Sequence, residues 1–347
     1  MKSEILEILC CPQCHSKFGV RVDQRLGDEI RSGRLVCNGH PELGGGRLRH
    51  HYEIEDGIIR FCEGFSAEIV QKEIEYENTT YHGSDRLTDA RLIAEFPDTL
   101  SELWPHTAHF GPDFRTLIDR IHVRPGDWVL DIGTGPCWSS RLLAQRGARV
   151  IALDVNEANF YGLKTSDILF SAHNVYFERV LESMTHLPFA KESIDRITFN
   201  ASFHHTPDHE RTLAECFRVL KPDGIVAMVN EEFGSIRQRL FCPEATSDTG
   251  SHHRIEYTEF ERAVKDSGFK AEFYVAEHVR KKLHTKFSVV GDVLVKAVES
   301  VPLALKQLNS ALIVLKKQPS KRTISAPIQS LPIESEIAPL GVLQSHA

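Results

Sequence analysis

The chain has 347 residues, 41% of them apolar, and a formal net charge of −7. That length has room for one large domain with one or two small ones, and its apolar share supports a sizeable core. No apolar run approaches the ~20 residues of a membrane-spanning helix, and an acidic balance without a long basic run argues against a nucleic-acid partner.

In chain order, Glu4 and Glu7 interrupt what would be the apolar stretch of a signal peptide, so the expected compartment is the cytoplasm. Thiols stay reduced there, which makes the eight cysteines metal ligands or buried thiols rather than disulfides. Within residues 1–65, Cys11-Pro12-Gln13-Cys14 is matched by Cys37-Asn38-Gly39-His40. Two close ligand pairs on tight turns suit a tetrahedral Zn2+ ion, and thiolate with imidazole favours zinc over calcium or magnesium. The expected ligands are Cys11, Cys14, Cys37 and His40, with His50 or His51 as substitutes beyond Gly44-Gly45-Gly46. A filled four-ligand shell makes the metal structural.

Residues 66–120 read as a helical connecting or lid segment, with a helix over Leu87–Phe96 and a Trp/His/Pro-rich stretch over Leu103–Pro112. Residues 121–318 alternate strands with amphipathic helices. Strands are expected over Trp128–Ile132, Arg149–Leu153, Val175–Val180, Ile194–Phe199, Ile225–Val229, Ala271–Ala276 and Ala311–Leu315. Helices are expected over Trp138–Arg146, Glu157–Ser171, His209–Leu220 and Thr258–Ser267, the third stopped by Lys221-Pro222-Asp223-Gly224. This alternation implies an α/β fold with a parallel sheet covered on both faces and ligands at the carboxyl ends of its strands. Residues 319–347 read as a disordered tail.

The first of those strands runs into Asp131-Ile132-Gly133-Thr134-Gly135-Pro136-Cys137, and Asp154 closes the next. Glycines there let the backbone approach a ligand that a Cβ would exclude, and a carboxylate at that place can accept both hydroxyls of a ribose. NAD would need a third glycine where Trp138 stands, so a ligand without a pyrophosphate fits better. His204 and His205 follow the fourth strand, with His252 and His253 as a second pair in a later loop. An imidazole at the mouth of the site can take a proton near neutral pH.

Val129-Leu130-Asp131-Ile132-Gly133-Thr134-Gly135 resembles the first motif of class I S-adenosylmethionine-dependent methyltransferases. Leu187-Pro188-Phe189, Glu192-Ser193-Ile194-Asp195, His204-His205-Thr206-Pro207-Asp208 and Glu215–Gly224 follow in that family's order and spacing. The resemblance implies a Rossmann-like, doubly wound, mostly parallel seven-stranded sheet. It places Asp131, Gly133 and Gly135 around the methionine part of S-adenosyl-L-methionine and Asp154 at the ribose. Ser183 and Met184 would line the adenine pocket, and Asn200 would lie beneath the sulfonium. The chain departs from the family at Cys137, often glycine, and at Ser183, often an acid. The segment from Ile5 to Phe61 resembles the small zinc ribbon that often precedes or partners methyltransferases. The implied function is methyl transfer to a small-molecule, lipid or sugar acceptor by direct displacement. The alternatives are methylation of ribosomal or transfer RNA, and a non-catalytic scaffold that keeps the fold.

Overall fold

The computed structural model describes residues 1–39, 50–62, 71–72, 74–75, 89–206, 208–234, 255–300 and 311–318. The front segment folds as two hairpins, β1 (Phe18–Leu26) with β2 (Glu29–Cys37) and β3 (His51–Glu55) with β4 (Ile58–Arg60). Asp56 and Gly57 join the second pair at φ values of 52° and 78°. Positive φ at both positions is what a two-residue hairpin turn requires. Among the described residues, α1 (Ala90–Ala94), α2 (Leu100–Leu103) and α3 (Phe110–Arg120) lie between these hairpins and the next strand. On α3 the buried Phe114, Leu117 and Ile118 recur at helical spacing and turn one face to the core.

The alternating region then runs β5 (Trp128–Ile132), α4 (Trp138–Ala144), β6 (Arg149–Asp154), α5 (Ser166–His173), β7 (Glu178–Leu181), β8 (Ile194–Asn200), α6 (His209–Val219) and β9 (Leu220–Val229). After it come β10 (Phe233–Gly234), β11 (Ile255–Glu256), α7 (Tyr257–Asp266), β12 (Phe269–Val275), α8 (Glu277–Phe287), α9 (Val289–Glu299) and β13 (Ala311–Lys317). The main sheet has the order β1-β2-β3-β4-β7-β6-β5-β8-β9-β13-β12. Its last seven strands are the expected doubly wound unit, parallel from β7 to β9, with β13 antiparallel to both of its neighbours. The winding reverses between β5 and β8, where such sheets open a ligand crevice.

The front segment does not stand apart from this sheet. Its strand β4 pairs in parallel with β7, Ile58 opposite Arg179 and Arg60 opposite Leu181. Ile5, Phe18, Ile54 and Phe61 from the front share one apolar cluster with Leu130, Phe199 and Phe189 of the alternating region. The pleat sends Val129 to a second cluster on the other face, with Phe114, Trp138 and Leu169.

Three expectations on local structure are corrected. The helix expected over Glu157–Ser171 begins only at Ser166. Before it the chain folds back, Leu163 N donating to Asn156 O at 3.1 Å, and a Cβ on Gly162 would meet Ala158 N at 2.6 Å. Lys221-Pro222-Asp223-Gly224 lies inside the bounds of β9, so α6 passes directly into that strand. The helices α8 and α9 were not anticipated, and α8 packs on α3. His40, His252, His253 and the expected tail lie outside the described residues. Among the described residues no helix is long and apolar enough to cross a membrane.

Candidate active site

A cavity of about 650 Å³ opens at the carboxyl ends of β5, β6 and β8. Gly133 and Gly135 form its near wall at φ values of 68° and 48°. A Cβ on Gly133 would meet Ser202 Cβ at 2.4 Å, whereas one on Gly135 meets nothing closer than Tyr161 at 3.8 Å. Gly135→Ala is therefore expected to cost only the left-handed backbone strain of ~1–2 kcal/mol. Gly133→Ala adds overpacking of ~1–3 kcal/mol to the same strain. Urea unfolding midpoints, read at an unchanged slope, check the order of the two.

Asp154 lines the cavity. Its Oδ2 accepts the Gly135 N–H at 2.8 Å and its Oδ1 accepts the Asn156 N–H at 2.8 Å. A carboxylate that lines a cavity is the kind of group that accepts ligand hydroxyls. Met184, Asn200, His204 and His205 also face the cavity.

Asp131 does not. Its carboxylate accepts the hydroxyls of Ser139 (2.6 Å), Ser140 (2.7 Å) and Thr198 (2.8 Å) beneath the glycine turn. Burial pushes its carboxyl up against the pull of these three donors. The pleat aims it at α4, so it ties strand to helix instead of touching a ligand. Ser183 is likewise turned away, its hydroxyl 2.9 Å from that of Thr185. The acid at this place is Glu182, one residue earlier, which lines the cavity. Cys137 is fully buried, so its side chain does not narrow the ligand loop.

His204 Nδ1 stands 2.8 Å from Glu231 Oε2. The same carboxylate accepts the backbone N–H groups of Ser202, Phe203 and His204 at 3.0–3.1 Å. Burial opposes an ionised Glu231, but the bond from His204 and the backbone donors hold its carboxyl below the usual range. Glu231 escaped the sequence reading, although an acid just past the end of β9 is the signal that could have found it. The roof comes from α2, α3 and α8 and the links between them, with Trp104, His109, His278 and Lys282 facing the cavity.

The family model described as a methyltransferase domain matches residues 130–228, from β5 into β9. The chain carries a methyltransferase domain. The ubiquinone biosynthesis O-methyltransferase of Hahella chejuensis (strain KCTC 2396) is 30% identical over 148 residues, 39% of this chain and 58% of that protein. The sterol methyltransferase-like 1 of Botryococcus braunii is 24% identical over 277 residues, 71% of this chain and 67% of that protein. This chain thus spans little more than half the length of the first of these relatives. Among solved structures, the Burkholderia thailandensis 1,6-didemethyltoxoflavin-N1-methyltransferase aligns with a TM-score of 0.44 at 15% identity, covering 82% of this chain and 96% of that one.

In front of the methyltransferase domain, Cys11, Cys14, Cys37 and His50 bring four ligand atoms within 4.8 Å of one another. Cys14 Sγ lies 3.3 Å from Cys37 Sγ, and Cys11 Sγ lies 3.4 Å from His50 Nδ1. The Gly39 N–H donates to Cys37 Sγ at 3.4 Å. Cys11, Cys14 and Cys37 are thus together with His50, one of the two expected substitutes, and His40 lies outside the described residues.

Proposed function

We propose that the protein transfers the methyl group of S-adenosylmethionine to a small-molecule acceptor, a metabolite, lipid or sugar. The observation that carries this reading is the cavity at the winding reversal, walled by a glycine turn whose N–H is fixed by the carboxylate of Asp154. The residues fit the cofactor: the open side of Gly135 leaves a cradle that a Cβ would begin to fill, and Asp154 presents a carboxylate, the group that accepts ribose hydroxyls, to the same cavity. When bound, the cofactor supplies an electrophilic methyl group and a neutral leaving group, so alignment is the main demand on the protein.

Asp154 orients the ribose, Gly133 and Gly135 admit the methionine part, and Met184 with Glu182 borders the base. Asn200, whose Oδ1 accepts from Asn230 Nδ2 at 2.8 Å, forms the floor beneath the reacting centre. His204 or His205 receives the acceptor's proton at that floor, with Glu231 holding the His204 ring. The roof residues exclude water. Calorimetric titration with S-adenosylmethionine, together with a methyl-acceptor screen, tests the reading. Micromolar binding with a rise in melting temperature is expected, and absence of binding at saturating cofactor would overturn it.

We also propose that Cys11, Cys14, Cys37 and His50 hold a structural Zn2+ ion. A tetrahedral ion with Zn–S bonds of ~2.3 Å sets its ligand atoms ~3.8 Å apart, and the observed set needs only small shifts to reach this.

A further inference from the structure

The roof of the cavity contains a second histidine–carboxylate pair that the floor residues leave unexplained. Asp113, on α3, has a side chain with no exposure at all. One of its oxygens accepts the backbone N–H of His278 at 2.9 Å, and the other lies 2.5 Å from His278 Nδ1. An ionised carboxylate accepts only, so Nδ1 carries the proton and Nε2 is left as the nitrogen available to a ligand. His278 lines the cavity, and its side chain is 15% exposed against 3% for His204. An incoming acceptor therefore meets His278 more readily than the histidine on the floor. The ring of His109 lies against that of His278, 4.4 Å between centroids and tilted by 48°. Burial first, then the neighbouring His278, hold His109 below the ordinary imidazole range. Lys282, one turn further along α8, adds a positive charge to the same wall.

His109, Asp113 and His278 are also close enough to suggest a metal triad. The spacing argues against it. Two ligands on one zinc-like ion, with bonds of ~2.0–2.2 Å, sit ~3.0–3.5 Å apart. The His278–Asp113 separation of 2.5 Å is that of a shared proton.

Resting on the methyl-transfer reading above, we propose that for an acidic hydroxyl acceptor of the phenol or enol class the general base is His278 in place of His204 or His205 on the floor, with Asp113 as its positioning residue. The acceptor's O–H proton passes to Nε2 as the new O–C bond forms and the C–S bond of the sulfonium breaks, its electron pair staying on sulfur. The imidazolium so formed lies against the Asp113 carboxylate. The positive wall of Lys282 suits an acceptor that develops negative charge as it loses its proton.

The test compares the full-length wild type with His278→Gln, His204→Gln and Asp113→Asn, using phenol, catechol and para-nitrophenol as acceptors. Cofactor binding by calorimetry comes first; if the wild type binds none, it is the methyl-transfer reading that fails. With binding kept within twofold, His278→Gln should lose ~10²–10⁴-fold in turnover of phenol and catechol. It should lose less than tenfold with para-nitrophenol that is already ionised at the assay pH. Long-range proton–nitrogen NMR supplies a readout that needs no acceptor: His278 should carry its proton on Nδ1. Asp113→Asn should move that proton to Nε2, because the asparagine amide can donate to Nδ1 while its carbonyl still accepts the backbone N–H. Equal losses across the acceptors, a loss confined to His204→Gln, a proton found on Nε2 of the wild type, or stoichiometric Zn2+ or Mn2+ binding abolished by His278→Gln would each overturn the proposal. So would a wild type that binds cofactor and methylates none of the three acceptors.

Discussion

Asp154→Ala is expected to weaken S-adenosylmethionine binding by roughly 10²–10⁴-fold. A hydrogen bond to a charged group contributes ~1.5–3 kcal/mol, and two ribose hydroxyls on one carboxylate make ~3–6 kcal/mol, at ~1.4 kcal/mol per tenfold. The same change releases the Gly135 and Asn156 N–H groups that the carboxylate holds at 2.8 Å, so the glycine turn loosens as well. Asp154→Asn separates the two effects. Its single carbonyl oxygen can keep one of the two backbone donors and part of the ribose contact, and its affinity should fall between those of wild type and alanine. Calorimetry measures the affinities, and the melting temperature without ligand shows how much of the loss comes from the turn. Wild-type affinity in Asp154→Ala would remove the ribose assignment.

Removing zinc should unfold more than the zinc site. Metal binding in small zinc folds contributes ~10–16 kcal/mol, while a whole domain has a net stability of only ~5–15 kcal/mol. The knuckle carrying Cys11 is fastened to the methyltransferase domain through backbone contacts. Cys10 N donates to Pro188 O at 3.0 Å, Ala190 N donates to Ile8 O at 2.7 Å, and Leu9 bridges to Phe189. Cys11 and Cys37 also belong to the apolar cluster that contains Leu187 and Met184. Cys11→Ser, or EDTA treatment, is therefore expected to give one transition at a lowered melting temperature and a weakened cofactor affinity, although none of the four ligands lines the cavity. Metal analysis of the purified protein and thermal unfolding with and without chelator check this. Two separate transitions, with the later one unmoved, would show that the ribbon folds independently.

The alternation of strands and helices was legible because buried parallel strands are short apolar runs closed by turn residues, as in Trp128–Ile132 and Ile194–Asn200. The positions of Gly133, Gly135 and Asp154 at the cavity were legible because a glycine turn and a strand-end acid are local features of the sequence. What failed were features set by orientation or by distant partners. Asp131 sits in the right motif, but the pleat turns its carboxylate toward Ser139, Ser140 and Thr198. Ser183 and Glu182 are neighbours in sequence, and only the chain's course after β7 decides which faces the ligand. Asp113 and His278 are 165 residues apart and meet only because α8 packs on α3. His50 stands with Cys11, Cys14 and Cys37 because β3 begins just after it, which no spacing rule states, while His40 lies outside the described residues.

The parallel seam between β4 and β7 settles where another protein could add a strand. Along that flank of the methyltransferase sheet the backbone is already satisfied by this chain's own ribbon, from Ile58 to Arg60. Among the described residues, the outer margins of the main sheet are β1 and β12. The β1 margin is studded with Arg21, Asp23 and Arg25, side chains of the kind that discourage edge-to-edge association. The seam thus joins the front segment to the methyltransferase sheet within one polypeptide, at a fixed ratio of one to one and independent of concentration.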